Sequence, residues 1–236
     1  MAKIHIIGIG YRPLDNKASD AVYRSDIILA NSSLLAVFSK YKEYMDIKEK
    51  IKVLPGVHET IAFIRSELLS AGSRPRTISL LASGDPMFFG IGRVIIDEFG
   101  KDAVEILPDL SSIQVAFARI KEPWHGAFLM SLHGGPDPAK RRKLEYELTE
   151  IPALLEKYDK IAILTDKVNT PAEIAKSICR GEGTSPLHSL KMFVCEKLGY
   201  DDERITQGTP EEVAARSFAY PNVVIIKKET ITNDTK

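Results

Sequence analysis

The sequence predicts an α/β protein made of two α/β domains, and two patterns carry that expectation. Short β-branched runs bounded by turn residues alternate with helical apolar spacing, as βαβ units and a largely parallel sheet require, most regularly in the first half. Near the middle, Lys121-Glu122-Pro123-Trp124-His125-Gly126 combines charge, proline and glycine as an interdomain linker would.

Strand candidates before the linker are Lys3–Ile7, Asp26–Ala30, Ile51–Leu54, Thr77–Ala82 and Val104–Leu107. Between the third and fourth, Val57, Ile61, Ile64 and Leu68 recur at helical spacing and put one apolar face on the sheet. A second helix is expected from near Asp109, where Asp109, Ser111 and Ser112 offer capping oxygens ahead of Ile113, Val115, Phe117 and Ile120. After the linker, the candidates are Ala127–Leu132, Lys160–Leu164, Lys191–Glu196 and Asn222–Lys227. The expected domains are therefore 1–120 and 127–228, with a frayed polar tail at 229–236.

Composition excludes several classes. With 236 residues, 44% apolar and 27% charged, the chain reads as a folded globular protein. Thirty-two basic residues balance thirty-two acidic ones, so no net field attracts a polyanion and nucleic acid is not an expected partner. Cys179 and Cys195 have neither CxxC nor zinc-ligand spacing; they read as reduced thiols, Cys195 in a buried strand, and no metal is expected. No run reaches the ~18 apolar residues of a membrane span. Met1–Gly8 enters a strand-like run at once, leaving no room for a signal peptide, and a cytoplasmic protein is the expectation.

Two loops hold the chemistry. Gly8-Ile9-Gly10 ends the first strand, where open α/β sheets bind ligands. A dinucleotide fingerprint would need a third glycine where Pro13 stands and an acid after the second strand, which ends in Ala30-Asn31; a GxxxxGK[ST] loop is absent as well. In Leu81-Ala82-Ser83-Gly84-Asp85-Pro86-Met87-Phe88-Phe89-Gly90-Ile91-Gly92, the Ser-Gly-Asp-Pro turn presents the Asp85 carboxylate at the sheet edge. That group suits a ribose hydroxyl, an amine or a sulfonium cation; the plainer account is an Asp-Pro turn with structural glycines.

Taken together, Gly8-Ile9-Gly10, the Gly84-Asp85-Pro86 turn with Gly90-Ile91-Gly92, and Pro108-Asp109-Leu110-Ser111-Ser112 resemble the three ordered signatures of the tetrapyrrole methylases. In the second half, Ser131-Leu132-His133-Gly134, Leu164-Thr165-Asp166 and Val194-Cys195-Glu196-Lys197-Leu198-Gly199 resemble the branch that methylates carbon 5 of cobalt-precorrin-7. The likeness spans about residues 3–228. Two departures stand out: Tyr11-Arg12 follow Gly10 where the family usually has Pro-Gly, and Asp109 stands where a glycine is common.

The resemblance implies S-adenosylmethionine as cofactor, folded into a cleft between the two domains, a corrin-type tetrapyrrole substrate, and usually a homodimer. Cofactor contacts carry over to Gly8, Gly10, Tyr11, Asp85, Phe88, Ser112, Ile113 and Thr165. Other ring methylases, a ribosomal RNA ribose methylase, diphthine synthase and a non-catalytic module holding a tetrapyrrole or nucleoside are the competing readings. Some homologues are fused to a decarboxylating carbon-15 methyltransferase; this sequence ends too early to include one, so a separate partner is expected to act at carbon 15.

His133 is the candidate for moving a proton in catalysis, against a structural role for a lone histidine after a strand. Arg93, just past the Asp85 turn, is the substrate candidate. Lys140-Arg141-Arg142-Lys143 suits carboxylate arms, or else forms a solvated helix face balanced by Glu145, Glu147 and Glu150. Trp124 and Phe117 are expected in core or interdomain packing rather than against a macrocycle. Asn31-Ser32-Ser33 matches a glycosylation acceptor by chance.

Overall fold

In the first half of the chain, isoleucine, leucine and valine dominate the central strands in near-continuous runs such as Ile27-Ile28-Leu29-Ala30, the pattern of a parallel sheet covered on both faces. A computed structural model describes residues 3–70, 76–134, 143–180 and 190–229. It divides into two compact units, residues 1–111 and 112–236.

The first unit contains β1 (Lys3–Ile9), β2 (Ile27–Ala30), β3 (Ile51–Val53), β4 (Thr77–Ser83) and β5 (Val104–Leu107), in the sheet order β3-β2-β4-β1-β5. Every pairing is parallel. Ile7, Ile9, Ile28, Ala30, Leu81 and Leu107 face α1 (Asn16–Arg24), α2 (Ser32–Phe38) and α3 (Tyr44–Ile47). Ile4, Ile6, Leu29, Ile78, Leu80 and Ala82 point the other way, against α4 (Val57–Ser70) and α5 (Gly92–Phe99). Period-two alternation thus splits one apolar strand between two cores. Of the expected α4 face, Ile64 is buried and Ile61 and Leu68 pack beside it, while Val57, the first helical residue, is exposed.

Local chemistry sets the helix starts. Asp15 accepts the Ala18 N–H at 2.8 Å ahead of α1, and Asn31 accepts the Leu34 N–H at 2.8 Å ahead of α2. Asn31, part of the chance glycosylation match, is therefore an N-cap.

The second unit opens with α6 (Ser112–Ile120), which packs on the strands β7 (Lys160–Leu164) and β10 (Asn222–Lys228). Its sheet is mixed, ordered β6-β7-β10-β8-β9, with β6 (Ala127–Ser131), β8 (Leu190–Glu196) and β9 (Arg204–Gly208). Only β6 and β7 pair in parallel; the other pairings are antiparallel. One face packs on α7 (Ile151–Lys157), α8 (Pro171–Arg180) and α9 (Pro210–Ala214) through Ile151, Leu155, Ile174, Ile178 and Val213.

Several expectations change here. The division falls at Ser111/Ser112 rather than at residues 121–126, because α6 buries Ile113, Val115, Ala116 and Phe117 with the second sheet. The 121–126 stretch is itself tied to that sheet, with Lys160 Nζ donating to the Pro123 carbonyl and Lys227 Nζ to Glu122. Strand β9 has no counterpart among the sequence candidates: Arg204-Ile205-Thr206-Gln207-Gly208 is polar and half-exposed, as suits an edge strand. Phe117 is buried as expected, but Trp124 is 53% exposed and is not a core residue.

Lys140, Arg141 and Arg142 lie outside the described residues, as do 230–236 of the tail. Lys143 is exposed, and the acids proposed to balance it do not share a helix face. Instead Glu147 and Glu150 form a reciprocal capping box at the turn leading into α7. No helix among the described residues is long and apolar enough to cross a membrane.

Candidate cofactor and substrate site

Strands β1, β4 and β5 end at the same level, since Ile9 lies beside Ser83 and Ile7 beside Leu107. Their three following loops therefore meet at one edge of the first sheet. Main-chain bonds join them: the Gly84 N–H donates to the Ile9 carbonyl at 2.9 Å, and the Gly84 carbonyl accepts the Asp109 N–H at 3.3 Å. Because β1 lies between β4 and β5, that second bond crosses over the α-carbon of Gly8. A Cβ at Gly8 would stand 2.0 Å from the Gly84 oxygen and 2.5 Å from the Asp109 nitrogen. Gly84 makes the crossing with φ +60, a conformation that favours glycine. The two glycines thus build a platform from backbone alone.

The Gly10–Arg12 loop lies on this platform with its N–H groups turned inward. Gly10 N–H donates to Tyr41 Oη at 2.8 Å, and Tyr11 and Arg12 N–H donate to Asp109 Oδ2 at 2.7 and 3.2 Å. Asp109 Oδ1 receives the Arg12 Nε–H at 2.8 Å and the Leu110 N–H at 2.7 Å. Asp109 therefore does not cap α6, as the sequence suggested; its buried carboxylate fastens a loop 98 residues earlier. Burial raises the Tyr41 phenol above its ordinary pKa, so it stays neutral and accepts.

Asp85 lies at the same edge, half-buried. Its Oδ1 accepts the Met87 N–H at 2.8 Å and shapes the turn, while Oδ2 meets no donor among the described residues. Phe88 is half-buried and stacks edge-on with Phe89, at 4.9 Å between centroids. Arg93 is exposed on the first turn of α5, with no ion pair among the described residues. The structure thus brings Gly8, Gly10, Tyr11, Asp85 and Phe88 to one edge, and adds Tyr41 and Asp109, which sequence reasoning did not assign to the site.

In the second unit, Ser112 and Ile113 begin α6, with Ile113 buried. His133 and Thr165 follow the parallel strands β6 and β7, whose register pairs Ser131 with Leu164. Both leave the same edge of that sheet. Thr165 is buried, and its hydroxyl lies 2.8 Å from the Asn222 carbonyl and 2.6 Å from Asn222 Oδ1. Asp166 Oδ2 accepts the Gly134 N–H at 2.8 Å, and its Oδ1 accepts the Val168 and Asn169 N–H groups at 2.8 and 2.7 Å. The His133 N–H lies 3.3 Å from Ser131 Oγ.

Nearby, Glu196 is buried under a bidentate contact from Arg204, at 2.7 Å for each oxygen, and accepts the Ala219 N–H. Burial drives its pKa up, but Arg204 and that N–H outweigh it and leave the carboxyl below the ordinary range. Cys195 is buried as expected, and desolvation pushes its thiol up to about 12, which removes it as a nucleophile.

The first edge therefore lacks what a phosphate loop needs. Three successive N–H groups are bonded within the protein, so this loop does not offer the row of free main-chain donors on which phosphate loops rely. The Asp85 oxygen that meets no donor among the described residues is available to a cationic or hydroxyl-bearing ligand.

Residues 3–214 match the model of the Tetrapyrrole (Corrin/Porphyrin) Methylases. The chain belongs to that family. Among curated members, it is 25% identical over 227 residues to a probable cobalt-precorrin-7 C(5)-methyltransferase of Methanocaldococcus jannaschii, covering 94% of this chain and 96% of that protein. It is 35% identical over 136 residues to the cobalt-precorrin-7 C(5)-methyltransferase of Salmonella typhimurium, a match spanning 57% of this chain and 59% of that one. The precorrin-6Y methylase of Archaeoglobus fulgidus superposes with a TM-score of 0.64 at 24% identity over 98% of this tetrapyrrole methylase and 99% of that chain. That superposition establishes the fold.

Proposed function

We propose that this tetrapyrrole methylase transfers a methyl group from S-adenosylmethionine to carbon 5 of cobalt-precorrin-7, or of the metal-free precorrin, in cobalamin synthesis. The observation that carries the cofactor is a first edge whose loop N–H groups are already bonded within the protein beside an Asp85 oxygen that meets no donor among the described residues, which suits a cationic, hydroxyl-bearing nucleoside. The substrate assignment rests on the relatives with which the chain aligns.

When bound, S-adenosylmethionine supplies a methyl group already activated on a positive sulfur. No protein nucleophile is required; the chain's part is to align that carbon with an electron-rich ring carbon and exclude water, effects that reach ~7 to 11 kcal/mol in favourable cases. The carbon–sulfur bond breaks as the carbon–carbon bond forms, and S-adenosylhomocysteine leaves. Asp85 Oδ2 receives hydrogen bonds from the cofactor, Gly8 and Gly10 allow close approach, and Tyr11, Phe88, Ser112 and Ile113 supply the walls. Thr165 contributes shape, its hydroxyl being committed to Asn222. His133 takes the proton released from the ring, and Arg93 meets a carboxylate arm.

The enzyme acts at carbon 5 alone, as a cytoplasmic homodimer, with a separate decarboxylating methyltransferase for carbon 15. Relatives named for carbon 5 alone support the restriction, while others matched are named precorrin-6Y C(5,15)-methyltransferase and are covered over only 29% to 32% of their length; the dimer rests on family likeness, and the compartment on two free thiols. Mass spectrometry after incubation with cobalt-precorrin-7 and S-adenosylmethionine tests the reading. The expected product gains one methyl group, with matching S-adenosylhomocysteine. No release of that by-product, or a double methyl gain with loss of carbon dioxide, would refute it.

A further inference from the structure

We propose that Asp109 and Tyr41 are positioning residues that set the shape of the Gly10–Arg12 loop, and with it the affinity for the cofactor; this rests on reading the first edge as the cofactor site. Neither group need touch the ligand. Their bonds reach 31 and 98 residues along the chain, and between them they take three consecutive main-chain N–H groups. A loop directly after a glycine with φ +133 has little stiffness of its own, so its path is fixed by what its N–H groups find.

Asp109 is suited to that task because it is pinned in turn. Its side chain is 4% exposed, the Arg12 guanidinium neutralises it through Nε, and the Leu110 N–H fixes the rotation of the carboxylate. Tyr41 is pinned by stacking on Phe38, with ring centroids 5.4 Å apart and planes at 28°. The loop therefore meets a rigid pair of acceptors. The departures from the family pattern also become one feature: Tyr11, where a proline has no N–H to satisfy, brings a donor, and Asp109 brings its acceptor.

The test is calorimetric titration of the full chain with S-adenosylhomocysteine, alongside steady-state kinetics. Asp109→Asn places an amide N–H against donors and should weaken binding about tenfold or more; Tyr41→Phe, a milder change that keeps the ring, should weaken it several-fold. In both variants KM for S-adenosylmethionine should rise while kcat stays within about twofold, the signature of lost uniform binding, which a purely structural role would not give. Tyr41→Phe keeps the test decisive if Asp109→Asn does not fold. Variants that bind within about twofold of wild type, or that lose affinity only in proportion to their unfolded fraction, overturn the proposal. A wild-type chain that binds no S-adenosylhomocysteine removes the cofactor reading and this inference together; wild type that binds, with variants equal to it, removes the inference alone.

Discussion

The two sheet edges differ in what holds their crossing points. At the first, Gly8 and Gly84 let main chain cross main chain, backbone bonds tie the β4 loop to its neighbours, and the Asp109 carboxylate fastens the β1 loop to the β5 loop. At the second, where main chain also meets main chain between Leu132 and Leu164, no glycine crossing is needed among the described residues and side chains make most of the joints: Thr165 to Asn222, Asp166 to three N–H groups, and Arg204 to Glu196. A backbone platform tolerates almost no substitution at its crossing points but leaves side chains such as Asp85 open. A side-chain network consumes the groups that would otherwise face a ligand. The first edge should therefore respond to substitution in ligand binding, and the second in stability.

Gly8→Ala is the most severe way to break this contrast. Its Cβ would lie 2.0 Å from a backbone oxygen, which cannot rotate away as a side chain could. Forcing the β1 and β4 loops apart should cost about 3 kcal/mol or more, and S-adenosylhomocysteine binding should vanish even at temperatures where the variant is folded. Urea denaturation and calorimetry measure the two effects. A folded Gly8→Ala chain with native affinity would mean that the platform is not what the ligand needs.

The same contrast decides what was legible in the sequence. The parallel first sheet could be read from apolar runs and their spacing, and the Gly8 and Gly84-Asp85-Pro86 loops from the residue types that such crossings demand. Asp109 could not be assigned correctly, because its apparent cue was local: an acid just ahead of a helix looks like a cap, whereas its true partners are 97 and 98 residues away. Tyr41 gave no cue, since a tyrosine between helices has no spacing relative to Gly10. In the second unit, β9 escaped because its burial is one-sided and broken by polar residues. The domain boundary was misread for a related reason: proline and glycine mark a turn, while the packing of Ile113 and Phe117 decides which unit a helix joins.

Thr165→Val sharpens the comparison from the other side. The valine fills nearly the same volume but removes the one hydroxyl proton that the Asn222 Oδ1 and carbonyl share, a loss of about 1 to 3 kcal/mol at a buried position. The urea midpoint should fall accordingly, while cofactor affinity changes less than about twofold once the protein is folded. The opposite result, intact stability with affinity lost, would put the Thr165 hydroxyl in contact with the cofactor.

The smallest expected effect asks whether the contrast lies between units or between kinds of joint. Glu105, on β5 of the first unit, is held by side chains alone: Lys17 at 2.6 Å, Lys3 at 2.5 Å and His5 Nδ1 at 3.2 Å. Hydrogen bonds from Lys17 and then Lys3 bring its pKa down from 4.5 to about 2. A depressed carboxyl contributes stability above its unfolded value, and that contribution disappears as pH falls through the folded value, so the window runs from 4.5 to about 2. Both lysine side chains are more than half exposed, at 52% and 69%, and screening keeps the contribution modest. Glu105→Gln should therefore lower stability slightly at neutral pH, and the gap to wild type should close across that window in acid titrations followed by circular dichroism. Cofactor affinity at neutral pH should not move. If it falls, a side-chain cluster in the first unit reaches the ligand edge, and the division is one between units rather than between backbone and side-chain construction.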